Sequence, residues 1–165
     1  MPKITSLSTH QPTYKLDQEE IERFTKSLFK NRFPNLERLL TVFKDGEIQT
    51  RHFCVPLDWH ENDHSFEERN NLYIELATQY GVKAIEKCLQ NSTYLSKPVS
   101  TEEIEAIIFV SSTGIATPSI EARIMNHMKF SDRVKRLPIW GLGCAGGASG
   151  ISRAFDYCLA HPKAK

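Results

Sequence analysis

The chain has 165 residues, of which 40% are hydrophobic and 25% charged, a composition typical of one globular domain of ordinary size. Its 21 basic residues nearly balance its 20 acidic residues, and the formal charge of +1 argues against nucleic acid or an acidic membrane surface as the main partner. No segment has the apolar core of a signal peptide or the roughly 18 apolar residues of a membrane span, so we expect a cytoplasmic protein.

Helical and extended patterns alternate along the first half of the chain. The spacing of apolar residues predicts a helix over residues 18–33, a short helix over 36–44 and a strand over 47–55. Ser65 and Glu68 form the S-x-x-E pattern of a capping box, which predicts a long helix directly after it.

The second half continues this alternation. The apolar run from Ala106 to Val110 predicts a parallel strand buried on both faces. We expect Thr117 to cap the next helix, because Pro118 suits the first helical position. Residues 136–143 predict a third strand, and apolar residues at helical spacing from Ile151 to Leu159 predict an amphipathic helix. The alternation predicts an α/β fold with a partly parallel sheet, and we expect that fold to continue beyond this chain.

The sequence HENDH, from His60 to His64, matches the H-E-x-x-H pattern of zinc proteases. That chemistry requires both histidines on one face of a helix. Because Asn62 and Asp63 are poor helix formers and Ser65 starts the next helix, we expect a solvated loop and no metal here.

The glycines Gly141, Gly143 and Gly146 match the G-x-G-x-x-G pattern of dinucleotide-binding proteins, between a predicted strand and a predicted helix. An acidic residue about 20 positions further on would support that function. No acidic residue follows Asp156. A dinucleotide-binding oxidoreductase therefore stays open only as an alternative.

Cys144 lies at the same junction, where the predicted strand ends and the predicted helix begins. The unpaired N–H groups of a helix N-terminus favour a thiolate, which makes this cysteine a candidate nucleophile. Three following glycines each weaken the helix by about 1 kcal/mol relative to alanine, which indicates that close approach is needed there. A buried structural cysteine is the alternative. We give that structural interpretation to the remaining cysteines: Cys54, Cys88 and Cys158.

The segment GLGCAGGASG, together with VSSTGIATPSIEARI and TRHFCVPL upstream, resembles the type III polyketide synthases, the chalcone synthase-like family. The likeness runs from about residue 4 through nearly the whole chain and is strongest to bacterial members. It implies a thiolase-like α/β fold, built from two similar halves with a mixed sheet packed against helices. It also implies that residues 1–165 are the N-terminal half and that the C-terminal half is absent from this chain.

The resemblance implies an acyltransferase in which Cys144 takes a starter acyl group from an acyl-CoA. Malonyl-CoA then extends that group by decarboxylative Claisen condensation. A histidine and an asparagine from the C-terminal half would complete the triad, so we expect residues 1–165 to be inactive alone. The resemblance implies CoA thioesters as substrates, no metal or organic cofactor, and a homodimer. A non-catalytic thiolase-fold interaction module is the second alternative.

The resemblance also implies roles for five further residues. Ser112 and Thr113 would line the starter-acyl pocket, or simply close a strand with polar groups. Thr117 matches a loop that reaches across the dimer interface into the partner's pocket, where plant members carry methionine. Arg38 and Lys44 are candidates for binding the CoA phosphates, and a solvated helix face is their alternative.

Overall fold

A computed structural model describes residues 1–165, which form two compact units. One unit comprises residues 1–10 and 66–165, and the other comprises residues 11–65. Each unit has its own two-stranded sheet, antiparallel in the smaller unit and parallel in the larger.

The smaller unit is a hairpin-like pair of strands with three helices inserted between them. Strand β1 pairs antiparallel with β2, from Tyr14 opposite Phe53 to Asp17 opposite Thr50. A 3₁₀ helix follows β2 and spans Leu57–Glu61. The elements before it are β1 (Tyr14–Asp17), α1 (Gln18–Phe29), α2 (Leu36–Leu40), α3 (Val42–Asp45) and β2 (Thr50–Phe53).

The predicted helix over residues 36–44 is two short helices that meet at Thr41. The Thr41 hydroxyl donates to the carbonyl of Arg38 at 3.0 Å, a local side-chain bond that competes with continued helix. The first predicted helix is confirmed, although α1 ends at Phe29 rather than at residue 33.

The larger unit places helices on both faces of a parallel strand pair. Strand β3 pairs with β4 from Ala106 opposite Lys135 to Ser111 opposite Trp140. Short 3₁₀ helices span Thr101–Glu103 and Gly143–Ala145. The main elements are α4 (Phe66–Leu89), β3 (Ala106–Ser111), α5 (Ile120–Ile124), β4 (Lys135–Trp140) and α6 (Gly146–Ala160).

Alternate residues of β3 face opposite sides of the sheet, as a period of two requires. Ile107 and Phe109 pack toward the buried cluster around Ile120 and Ile124 of α5. Val110 and Ile108 face α6. Both faces of β3 are therefore covered by helices, as predicted. The strand is nevertheless half-buried rather than buried, because a two-stranded sheet leaves one edge of each strand unpaired.

Helix α6 lies so close to β3 that side chains cannot stand between them. A Cβ on Gly146 would lie 2.6 Å from Cγ1 of Val110, and one on Gly150 would lie 2.8 Å from Cγ2 of the same residue. A Cβ on Gly147 would meet nothing within 4 Å. Two of the three helix glycines are thus needed for packing against the strand.

The prediction that Thr117 caps the next helix is wrong. Helix α5 begins at Ile120, so its N-cap residue is Ser119, and Pro118 lies outside the helix after a cis peptide bond. The side chain of Arg123 donates instead to the carbonyls of Pro118, at 2.9 Å, and Thr117, at 3.4 Å.

The predicted amphipathic helix is α6, but its largest apolar side chains are exposed. Ile151, Phe155 and Leu159 are 63%, 43% and 54% exposed, respectively, and they follow one another at four-residue spacing on one face. We call these three residues the α6 stripe. None of the helices is both long and apolar enough to cross a bilayer.

The close approach of α6 to β3 predicts opposite outcomes for alanine at two neighbouring glycines. Gly150→Ala should lower the free energy of unfolding by about 1 kcal/mol or more, because the β-branched Val110 cannot move aside easily. Gly147→Ala should raise it by about 0.5–1 kcal/mol, since it adds helix propensity in open space. Urea unfolding followed by circular dichroism measures both.

Val110→Ala supplies the control for this prediction. If the contact with Val110 causes the loss, Gly150→Ala should cost less in the Val110→Ala background than in the wild type. Equal effects of alanine at positions 147 and 150 would contradict close packing as the reason for Gly150.

The exposed α6 stripe predicts that this chain self-associates, because contiguous exposed apolar surface drives association. Ile151→Glu should shift the chain toward the monomer by placing a charge in the stripe. Ser152→Glu adds the same charge to the next residue, outside the stripe, and should leave association unchanged. Light scattering at increasing protein concentration measures the effect, and a wild type that stays monomeric throughout would contradict the prediction.

Candidate functional site

The turn between β4 and α6 requires two of its glycines. Gly141 and Gly143 have φ angles of +84° and +52°, a region that side chains with a Cβ rarely adopt. Leu142 lies between them, and the 3₁₀ helix Gly143–Ala145 then leads directly into α6. The first two glycines of the G-x-G-x-x-G match are therefore explained by the local backbone.

Cys144 lies in this turn as a free and exposed thiol. It follows the carboxyl end of β4 and precedes the first residue of the 15-residue helix α6. The N-terminus of a helix carries partial positive charge and unpaired N–H groups, which favour an anionic sulfur or an anionic ligand. The position fits a nucleophile that must meet its substrate at the protein surface.

Ser112 is brought to the same turn. Its hydroxyl oxygen accepts the backbone N–H of Gly143, the residue before Cys144, at 2.9 Å. Thr113 is exposed, and its own N–H donates to the Ser111 hydroxyl at 3.3 Å. Of the two residues predicted to line an acyl pocket, Ser112 is the one bonded to the cysteine turn.

A small cavity of about 170 Å³ lies beside the loop that follows β3, between the sheet and helices α4 and α5. Its lining includes Tyr73, Phe109 and Glu121, but not Ser112, Thr113 or Thr117. The substrate roles of those three residues remain predictions.

Sequence reasoning missed three residues that hold the site together. Asn70 of α4 bonds to the loop after β3, and Tyr73 of α4 bonds to the last residue of β3. Trp140 bonds to the same loop from the end of β4. A tyrosine is common on the apolar face of a helix, so the sequence gives no sign of the partner of the Tyr73 hydroxyl. Trp140, beside the glycine-rich turn, is the one residue of the three whose bond the sequence could have suggested. The indole N–H of a partly buried tryptophan usually finds an acceptor.

Arg38 and Lys44 lie in the smaller unit, on α2 and α3, where both are exposed and neither forms an ion pair. Exposed, unpaired cations fit both interpretations, a phosphate-binding role and a solvated helix face.

The HENDH segment does not form an α-helix. His60 and Glu61 lie in the 3₁₀ helix after β2, and His64 follows outside it. The ring of His64 stacks on Trp59 at 3.8 Å between centroids, and its Nε2 bonds to the Trp59 carbonyl at 2.8 Å. No group of three or more His, Cys, Asp or Glu side chains is placed to hold a metal ion.

The other three cysteines lie in different surroundings. Cys88 and Cys158 are half-buried, in keeping with their prediction as structural residues. The prediction of Cys54 as a buried structural residue is wrong, because Cys54 is exposed, although partial burial of its thiol raises the pKa of that group.

The parallel strand pair between helices, followed by a cysteine at a strand-to-helix turn, fits the thiolase-like α/β fold that the resemblance implies. The crystal structure of 1,3,6,8-tetrahydroxynaphthalene synthase from Streptomyces coelicolor A3(2), described as a bacterial type III polyketide synthase, matches 98% of this chain with a TM-score of 0.85. The two sequences are 29% identical, and the match covers 45% of that chain.

Residues 8–164 match the family of chalcone and stilbene synthases, N-terminal domain. A Bacillus subtilis (strain 168) protein named "Putative chalcone synthase" is 46% identical over 164 residues, 99% of this chain and 45% of that relative. The Streptomyces coelicolor 1,3,6,8-tetrahydroxynaphthalene synthase is 34% identical over 131 residues, 79% of this chain and 34% of that enzyme. The chain thus belongs to the chalcone synthase-like family of type III polyketide synthases, and it spans less than half the length of these relatives. Membership does not favour the dinucleotide-binding alternative.

The exposure of the four cysteines predicts their order of labelling. Limiting iodoacetamide near neutral pH should modify Cys144 first, since it is exposed at a helix start. Cys54 should follow only at higher pH, because its raised pKa leaves less thiolate. Peptide mass spectrometry measures each site, and Cys144→Ser should leave labelling of the other three unchanged. Labelling of Cys54 with Cys144 unmodified would contradict this order.

Proposed function

We propose that Cys144 is the acyl-carrying nucleophile of a type III polyketide synthase that loads a starter acyl-CoA and extends it with malonyl-CoA. The observation that supports this most directly is the exposed thiol at the amino end of α6, in a chain of this family. We also propose that residues 1–165 act as the N-terminal, nucleophile-bearing domain.

The loading step transfers one acyl group between two sulfur atoms. The Cys144 thiolate attacks the thioester carbonyl carbon, the carbon–sulfur bond to CoA breaks, and CoA leaves as a thiolate that takes up a proton. The partial positive charge at the α6 N-terminus stabilises the attacking anion before the reaction.

The extension step forms a carbon–carbon bond. Malonyl-CoA loses CO₂ and leaves an enolate, whose carbon attacks the acyl carbonyl on Cys144. The bond to the cysteine sulfur breaks, and a β-ketoacyl-CoA two carbons longer results. Donors aimed at the developing oxyanion would stabilise both steps, and the family resemblance assigns them to a histidine and an asparagine of the C-terminal half.

Binding roles follow the same resemblance. Ser112 and Thr113 would contact the starter acyl group, and Thr117 would extend into the partner's pocket of a homodimer. Arg38 and Lys44 would bind CoA phosphates, for which exposed cations are suited. The substrates carry their own activation as CoA thioesters, so the proposed chemistry uses no further cofactor. We place this reaction in the cytoplasm, where CoA thioesters are available.

Loading tests the role of the cysteine in this chain itself. Incubation with a long-chain or aromatic acyl-CoA should add one acyl mass at Cys144 and release CoA. Cys144→Ser should abolish that thioester, whereas Cys54→Ser, a matched loss of an exposed cysteine, should not. Acylation that maps to Cys54 instead would contradict the proposal.

Condensation should need oxyanion donors beyond residues 1–165, which loading does not strictly require. Residues 1–165 alone should form no detectable polyketide from malonyl-CoA, because loss of a single oxyanion donor typically costs about a hundred- to a thousand-fold in rate. A chimera in which residues 1–165 replace the matching part of the Bacillus subtilis relative should form product. Product from the Cys144→Ala chimera would refute the role of Cys144, and product from residues 1–165 alone would refute the need for further donors.

A further inference from the structure

The loop after β3 is fixed firmly to helix α4. The side chain of Asn70 bonds to both backbone groups of Ile115: Nδ2 donates to the carbonyl and Oδ1 accepts the N–H, each at 2.9 Å. The Tyr73 hydroxyl donates to the Ser111 hydroxyl at 2.7 Å. Its ring also lies against Gly114, where a Cβ would be 2.2 Å from the ring. This loop therefore has little freedom to shift along the sheet.

Two further bonds join the fixed loop to the chain that carries the cysteine. The indole Nε1 of Trp140 donates to the Gly114 carbonyl at 2.9 Å. The N–H of Gly143 donates to the Ser112 hydroxyl oxygen, also at 2.9 Å. The first bond holds the end of β4, and the second holds the residue directly before Cys144. Of these two bonds, the one to Ser112 therefore holds the chain closest to Cys144.

We propose that Ser112 is a positioning residue for Cys144, and that its hydroxyl holds the turn through the Gly143 N–H. The inference rests on the proposed function, in which Cys144 is the nucleophile. The turn depends on two glycines with positive φ, and glycine loses more conformational freedom on folding than any other residue. The Ser112 hydroxyl accepts the Gly143 N–H, and this bond restricts the backbone of Gly143 and so keeps the thiol at the start of α6.

This role differs in its consequences from lining an acyl pocket. A pocket-lining Ser112 would affect the choice of acyl group and leave reaction with a small reagent unchanged. A positioning Ser112 affects the reactivity of Cys144 toward every electrophile, iodoacetamide included. Because Ser112 and Gly143 are exposed, water can replace the lost bond, so the effect should appear in local reactivity rather than in global stability.

The test is the second-order rate of Cys144 alkylation by iodoacetamide, from about pH 6 to about pH 9, a range that brackets ordinary thiol ionisation. The 165-residue chain is compared with Ser112→Ala, Ser112→Thr and Ser111→Ala. Ser112→Ala should lower the rate by about two- to tenfold, the change expected for one lost hydrogen bond, and should alter the pH profile. Ser112→Thr keeps the hydroxyl and should restore most of the rate.

Ser111→Ala is the matched control, since it removes the neighbouring hydroxyl, which bonds to Tyr73 and to the Thr113 N–H but not to the turn. It should leave the rate within twofold of the wild type, because Asn70 and Trp140 still hold the loop. Unchanged alkylation in Ser112→Ala, or an equal loss in Ser111→Ala, would overturn the positioning role.

Amide hydrogen exchange gives a second measurement. The Gly143 N–H should exchange more slowly in the wild-type chain than in Ser112→Ala, and equal exchange in the two would overturn the inference. Acyl loading of the wild type separates the two hypotheses. Loading absent from Cys144 counts against the proposed function, whereas intact loading with equal alkylation rates in wild type and Ser112→Ala counts against Ser112 alone.

Discussion

The contact between α6 and β3 determines where the candidate nucleophile lies. Two glycines one helical turn apart let the helix backbone approach Val110 directly, with no side chain between them. That approach fixes the distance of the helix from the sheet and, through Gly146, the position of its first residue. Cys144 is two residues before that point, so its place relative to the strand end follows from the packing of Gly146 and Gly150 on one valine.

A close-packed helix alone would leave the preceding turn free, and the loop after β3 supplies the remaining constraint. The bonds from the Gly143 N–H to Ser112 and from Trp140 to Gly114 connect the two strand ends across the top of the sheet. Helix α4 in turn fixes that loop through Asn70 and Tyr73. The cysteine is therefore held from the helix side by packing and from the strand side by hydrogen bonds. These are complementary constraints, because packing sets distance and hydrogen bonds set direction.

Segments with a clear apolar pattern could be located from the sequence, and these are helix α4, strands β3 and β4, and helix α6. Pattern and packing agree at β3, whose two faces are covered by helices, but not at α6, whose apolar stripe is exposed. The position of Cys144 at a strand-to-helix turn could also be predicted, since glycines clustered around it are a local signal, and its role as a nucleophile stays a prediction. The resemblance to a family with this cysteine motif added the fold, which periodicity alone could not supply.

Features decided by single contacts could not be predicted. Two short helices replace one because the Thr41 hydroxyl bonds backward, and Ser119 rather than Thr117 precedes α5 because the chain turns at Pro118 first. Thr117 and Ser119 are both polar residues near the start of α5, and the sequence offers no way to choose between them as the N-cap residue. Likewise, Ser112 and Thr113 look equivalent in sequence, but only one of them reaches the N–H of Gly143. Bonds across long sequence separations depend on the tertiary structure, which local patterns do not encode.

The five glycines around Cys144 have separable physical reasons, and one of them lacks a reason inside the chain. Gly141 and Gly143 permit the turn, and Gly146 and Gly150 permit the approach to Val110. Gly147 has an ordinary helical backbone and open space where a side chain would stand. An alanine there would add about 0.5–1 kcal/mol of helix propensity without a clash. A glycine that lowers helix stability without an internal contact in return is typical of a functional surface. Gly147 lies three residues after Cys144, so the open space that it preserves borders the same helix start.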